Sequence, residues 1–239
     1  MNKFIYSPTS LLRLTGLLLS SIALMPSATA QDVRAVQLYS QDELIMLINK
    51  NEHLDRVVLD RCQLVQDIEA RAEVLTVPAY QFLWGDMLAW GVCVDADPER
   101  GVALMRDAAD QGLPAALEQL GRYYANGTLV QEDKKRAVIY LREASSLGNM
   151  KAQMQLADLF IAGYGSPYDY QDTYHWLYNA ITNDKDTHAR IARQLGELEK
   201  LMHPKAVRAA RKPLDANPVG STHDTIVSLI IHQNFVIPP

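Results

Sequence analysis

Cysteine is nearly absent from this chain: two of its 239 residues, Cys62 and Cys93. A structural zinc site would need two further ligands beside those thiolates, and no histidine pair stands at finger-like spacing, so no metal is expected. Phosphate-binding glycine loops, HExxH and a nucleophile elbow are all missing, and the nearest approach, Gly163-Tyr164-Gly165-Ser166, lacks the flanking glycine. The six histidines are scattered with no thiol or carboxylate cluster, and His175, beside the apolar Trp176 position, reads as a packed or surface residue. Asp67 and Glu69 lie two apart on an expected helix, hence on different faces, which denies them a joint acid-base role. Neither an enzyme nor a cofactor is expected. Basic residues are short as well, 23 against 28 acidic for a formal charge of −5. Sequence-independent nucleic-acid affinity comes from neutralising phosphates, so that class is excluded. What remains is an ordinary globular composition, 48% hydrophobic and 21% charged.

Long apolar runs are lacking too. Leu14–Met25 falls short of the roughly 20 residues needed to cross a bilayer. With Lys3 and Arg13 around its start, and Pro26 and Ala28-Thr29-Ala30 after it, this stretch reads as a signal peptide over 1–30, the mature chain beginning at Gln31. Without the leader, 21 basic residues face 28 acidic ones, a charge of −7. No membrane span is expected after cleavage. Export to an oxidising compartment permits a Cys62–Cys93 disulfide, with two unrelated buried thiols as the alternative.

What the chain does have is a period of 36. That offset relates Gly91, Gly127 and Gly163; Gly85 and Gly121; Gly112 and Gly148; Asp97, Asp133 and Asp169. It also relates Trp84, Leu120 and Leu156; Leu88, Tyr124 and Phe160; Leu104, Tyr140 and Trp176; Met105, Leu141 and Leu177; Ala108, Ala144 and Ala180. Within a unit the apolar positions recur at three and four, as in Leu117, Leu120, Tyr124 and Ala137, Tyr140, Leu141, Ala144, so each unit is two helices. Gly91, Gly127 and Gly163 close the first helix and Gly112 and Gly148 the second. Asp97, Asp133 and Asp169 are placed to cap the N-terminus of the second helix. The small residues at 85, 121 and 157 and at 108, 144 and 180 fall where helix axes must approach closely.

One helix pair cannot bury its own face, so neighbours stack and the ends need caps. The expected organisation is a leader over 1–30, an N-terminal segment with capping helices over 31–78, three repeats over 79–182 (about 79–114, 115–150 and 151–182), basic capping helices over 183–212, and a proline-containing tail over 213–239. In the N-terminal segment, Ser40-Gln41-Asp42-Glu43 is a capping box leading into Leu44, Leu47 and Ile48. Arg61–Ala72 reads as a half-repeat helix, with Ile68 and Ala72 in register with Leu104 and Ala108, Thr76 in place of the closing glycine, and Cys62 at its start. That would put Cys62 and Cys93 on one edge in adjacent layers. Asp186–Met202 carries Ile191, Leu195, Leu198 and Leu201 on a stripe. The tail holds the apolar Ile226–Ile231, available to dock on the solenoid or a partner.

Inward positions are committed to stacking, so partners must use exposed faces and ends. The N-terminal end offers Asp67, Glu69 and Arg71 beside Asp86 and Trp90; the C-terminal end offers Arg190, Arg193, Arg208, Arg211 and Lys212. The basic end reads either as a solvated face or as a contact for an acidic partner.

The unit Leu-Gly-Arg-Tyr-Tyr-Ala-Asn-Gly-Thr-Leu-Val-Gln-Glu-Asp over 120–133, then Ala-Val-Ile-Tyr-Leu-Arg-Glu-Ala-Ser-Ser-Leu-Gly-Asn over 137–149, resembles the Sel1-like branch of the tetratricopeptide-type repeats. The fold this implies is all-α, a short right-handed α-solenoid of helix pairs with N- and C-terminal capping helices. Arg61–Ala72, Gly85–Cys93, Gln111–Gln119, Tyr164–Pro167 and Trp176–Asn179 narrow the resemblance to the MotX family of sodium-driven polar flagellar motors, from about Leu38 to Arg211. The tail beyond Pro213 departs from that family's shorter ending. The resemblance implies a periplasmic scaffold in the T ring around the flagellar basal body, working with a MotY-like protein and helping to install the PomA/PomB stator, so that a MotY-like T-ring protein and a PomB-like stator subunit are the implied partners. Outside that family, the same solenoid would suit a periplasmic adaptor in envelope signalling or secretion. Secreted Sel1-like proteins proposed as β-lactam hydrolases are the further alternative, but their units carry a cysteine pair each, and this chain has no Ser-x-x-Lys context.

Overall fold

The computed structural model describes residues 38–212. The expected leader, its cleavage site before Gln31 and the tail from Pro213 lie outside the described residues. All regular structure described is helical, with no strand. Three short helices come first: α1 (Gln41–Lys50), α2 (His53–Leu59) and α3 (Val65–Glu73). Pairs follow: α4 (Pro78–Trp90) with α5 (Pro98–Asp110), α6 (Pro114–Asn126) with α7 (Lys134–Ser146), α8 (Met150–Ile161) with α9 (Tyr170–Tyr178), and α10 (Lys185–Leu201) with α11 (Pro204–Ala210). Within the repeats each helix packs on its neighbours, α4 between α3 and α5 and α8 between α7 and α9, while α10 packs on α8 and α9 and α11 on α9, as expected of a repeat array.

Local chemistry sets these boundaries. Proline opens α4, α5, α6 and α11, where a missing backbone N–H costs nothing. Asp97 and Asp133 accept from the N–H of Arg100 and Arg136 at 3.1 and 3.0 Å, and Ser40, Asn149 and Asp184 cap α1, α8 and α10 in the same manner. Gly91 and Gly127 end α4 and α6 with φ of +67° and +70°, a left-handed turn in which a Cβ is strained.

The repeat core depends on backbone contact between helices. A Cβ on Gly101 would lie 2.5 Å from the Gly85 carbonyl oxygen and 2.8 Å from the Ala89 nitrogen. Glycine at both positions lets α5 lie against α4, which is buried from Ala79 through Ala89. In the second layer the gap is filled differently: a Cβ on Gly121 would meet the Leu141 side chain at 2.6 Å.

Several local expectations are corrected. Cys62 does not begin a helix: it lies in the turn between α2 and α3 with φ of +58°, and α3 starts only at Val65. Its sulfur is bonded to Cys93, in the loop after α4, with the two Cα atoms 5.6 Å apart. Asp169 makes no capping hydrogen bond to α9; a 3-10 turn, Pro167–Asp169, precedes that helix, and the Asp169 carboxylate pairs with Arg142 at 3.0 Å instead. Ala180 falls past the end of α9. On α10 the buried stripe is Ile191, Gln194 and Leu198, with Leu201 half exposed, because the helix turns its polar Gln194 onto α8.

Two substitutions test this packing. Cys62→Ser should lower stability by about 3–4 kcal/mol, the loop-entropy value for a 31-residue separation, in urea denaturation of oxidised protein. Gly101→Ala should cost about 1–3 kcal/mol by overpacking backbone on backbone. Ala at Gly112, where a Cβ meets nothing within 4 Å, should incur only the left-handed penalty of about 1 kcal/mol.

Candidate protein-interaction surfaces

The 36-residue period carries two columns of side chains across the first helices of successive pairs. One column is Asp86, Arg122, Asp158 and Gln194; the other is Phe82, Glu118, Met154 and Arg190. Their alternating charges are stitched together. Asp158 accepts from Arg190 at 2.6 Å and from Gln194 at 2.6 Å, Arg122 lies 3.6 Å from Glu118, and Glu118 accepts from Gln155. Between the columns opens a groove of about 450 Å³, lined by Glu118, Arg122, Lys151, Gln155 and Arg190 and closed on one side by α1. There the Lys151 ammonium donates to the Asn49 carbonyl at 2.8 Å.

Asp86 is not a surface residue. It is 3% exposed, and its carboxylate is met by His53 Nε2 at 2.8 Å, by the Gln119 amide at 3.0 Å and by the Tyr123 hydroxyl at 3.5 Å. A buried carboxylate persists only with such partners, so its expected role in partner binding is replaced by one of docking α2 onto α4. Burial and then the Asp86 charge push the Tyr123 phenol up to about 12.

The remaining N-terminal candidates are dispersed. Asp67 is exposed, Glu69 lies 3.8 Å from Arg100, and Arg71 stacks its guanidinium over the Tyr80 ring at 5.3 Å. Trp90 is 51% exposed, its edge toward Tyr123. At the other end the five basic residues divide. Arg190 is committed to Asp158, and Arg211 donates to the Tyr174 hydroxyl at 2.9 Å and to Glu199 at 2.5 Å. Arg193, Arg208 and Lys212 are exposed and make no ion pair among the described residues.

Arg122, Glu118 and Lys151 were not singled out from sequence. Adding 36 to Asp86 leads to Arg122 and then Asp158, and that alternation of sign is the signal that would have found them. His53 carries no such signal, because α2 lies outside the repeat. Among the described residues no cluster of His, Cys, Asp and Glu could hold a metal ion, and no helix is long and apolar enough to cross a membrane.

The chain is similar in sequence to known proteins. The Sel1 repeat family model matches residues 78–113, 114–149 and 151–184. The sodium-type polar flagellar protein MotX of Vibrio parahaemolyticus serotype O3:K6 (strain RIMD 2210633) is 57% identical over 199 residues, spanning 81% of this chain and 94% of its own length. Among solved structures, the chain is similar to a Sel1 repeat protein from Oxalobacter formigenes, at 23% identity and a TM-score of 0.49, over 54% of this chain and 97% of that one. It is also similar to c5321, a protective antigen of uropathogenic Escherichia coli strains displaying an SLR fold, at 19% identity and a TM-score of 0.48, over 76% of this chain and 43% of that one.

The C-terminal cap should respond to acid. Hydrogen bonds from Tyr174 and then Arg211 hold the Glu199 carboxyl below its ordinary value of 4.5. A depressed folded pKa adds stability that is present above the unfolded value and is lost as pH falls through the folded one. Protection of the amides across 204–210, taken relative to their intrinsic exchange rates, should therefore fall as pH drops below about 4.5, and Glu199→Gln should remove that acid dependence while lowering protection at neutral pH.

Proposed function

Because the chain belongs to the family of the sodium-type polar flagellar protein MotX, and is thereby a flagellar motor component built on a Sel1-repeat scaffold rather than an enzyme, we propose that it works in the periplasm as a structural part of the T ring. There it helps to incorporate stator units and hold them around the basal body. The observation that carries this reading is the 57% identity sustained over 94% of the relative's length. The disulfide supports the compartment, since such bonds persist where the surroundings are oxidising.

A solenoid with two unlike ends suits a protein that joins two different neighbours. We assign one end to a MotY-like ring protein and the other to the periplasmic part of a PomB-like stator subunit. The basic end supplies an electrostatic contact through Arg193, Arg208 and Lys212. Arg190 and Arg211 support it from within, each already neutralised by a carboxylate of this chain.

Deleting the gene should leave filaments assembled but not rotating, scored by filament counts and swimming. Normal swimming in a strain with no second stator system would overturn the reading. Changing Arg193, Arg208 and Lys212 together to Glu should weaken co-purification with one of the two partners, more so at low salt than at high, because screening over about 8 Å at physiological ionic strength already suppresses exposed charges. Retention of both partners at every salt concentration would make this end a solvated face only.

A further inference from the structure

Arginines recur at two positions of the repeat, and two of the four meet a plain carboxylate. Arg100 is bound by Glu73, with Glu69 at 3.8 Å, and Arg142 is bound by Asp169 at 3.0 Å. The junction between the first and second layers breaks this rule. Arg136 stands 36 after Arg100 and Arg106 stands 36 before Arg142, yet both donate to one neutral group, the Tyr124 hydroxyl, at 3.2 and 3.3 Å. The equivalent residues in the other layers, Leu88 and Phe160, have no hydroxyl.

Tyr124 is 4% exposed, held by stacking on Tyr140 at 5.7 Å between ring centres. Its oxygen accepts from both guanidinium groups, which uses its lone pairs, and its own O–H has no acceptor among the described residues. Burial raises this phenol's pKa, but the bonds from Arg136 and Arg106 outweigh burial and leave it below the ordinary tyrosine value. The nearest carboxylate, Asp133, is occupied: one oxygen caps α7 at 3.0 Å, and the other reaches only to 3.8 Å from Arg136. Two guanidinium groups and a phenol O–H therefore converge beside an open concavity of about 560 Å³, and among the described residues the arginines' only side-chain hydrogen-bond acceptor is the Tyr124 oxygen, while the O–H has none.

We propose that this concavity, between the loop after α6 and the start of α7, is a carboxylate-binding pocket that receives an acidic side chain of a partner protein. Two guanidinium forks and a phenol match a carboxylate's two oxygens. The local charge favours a monoanion: Arg106, Lys134 and Arg136 against Glu132 and Asp133 leave about one positive charge, and a phosphate dianion would face both acids. Leu129 and Val130 on the rim give the residues flanking an acidic side chain an apolar surface. The site stands on this geometry and does not depend on the flagellar reading.

The test uses the full exported chain with ring-labelled tyrosine, following the Tyr124 NMR signal identified by its loss in Tyr124→Phe. The probes are acetyl-Leu-Asp-Leu-amide, its Asn counterpart and inorganic phosphate, at constant ionic strength in chloride. The acidic peptide should shift the signal saturably and its Asn counterpart should not. Arg106→Gln should weaken binding at least tenfold, while Arg100→Gln, at the repeat position of Arg136 one layer away, should leave it unchanged. Circular dichroism confirms that each variant is folded. No saturable shift, an equal shift with the Asn peptide, or equal loss in Arg100→Gln would overturn the pocket. Tighter binding of phosphate than of the acidic peptide would overturn the protein side chain as its occupant.

Discussion

The backbone contact of Gly85 with Gly101 governs how the stack begins. With no side chain on either residue, α5 presses on α4, and α4 becomes a helix with almost no solvent face. A helix buried all round needs neighbours on every side. The short helices α1, α2 and α3 supply them, which makes the N-terminal segment part of the core rather than an appendage. Asp86 follows from the same constraint. A carboxyl group is kept on a buried helix only because α2 brings His53 to one of its oxygens and the next layer brings Gln119 to the other.

Much of the repeat region could be read directly from the residues, for definite reasons. Helix ends are local events, so Asp97, Asp133, Gly91 and Gly127 declared themselves by residue type and spacing alone. Stacking repeats every contact at one period, so the small residues at 85, 121 and 157 were visible as a column. Asp169 misled because an inserted 3-10 turn moved its carboxylate toward Arg142, and a period cannot register a local change of winding. Gln194 was hidden on a stripe of leucines, because a glutamine that faces inward to bond the Met154 carbonyl looks in sequence like one that faces water.

The interaction surfaces were harder to read than the fold. A list of charged residues does not say which are already neutralised within the chain. Arg190 and Arg193 are near neighbours on α10, yet one is bound to Asp158 and the other is exposed; Arg208 and Arg211 divide in the same way on either side of the end of α11. Partner assignment depends on the difference between total charge and unspent charge. That difference is set by contacts between residues more than ten positions apart, such as Arg211 with Glu199 and Arg190 with Asp158.

The bond between Cys62 and Cys93 also fixes the route by which force travels through the molecule. Stacked repeats come apart by peeling from an end, since each layer is held only by the next. Tension applied ahead of residue 62 passes through the sulfur bridge directly to residue 93, and the chain between them, α3 and α4 included, lies in a covalent loop that carries no load. Helices α3 and α4 are thus shielded from pulling at the N-terminal side, and a mechanical failure from that direction must start in α1 and α2, ahead of residue 62, before the load reaches α5 beyond residue 93.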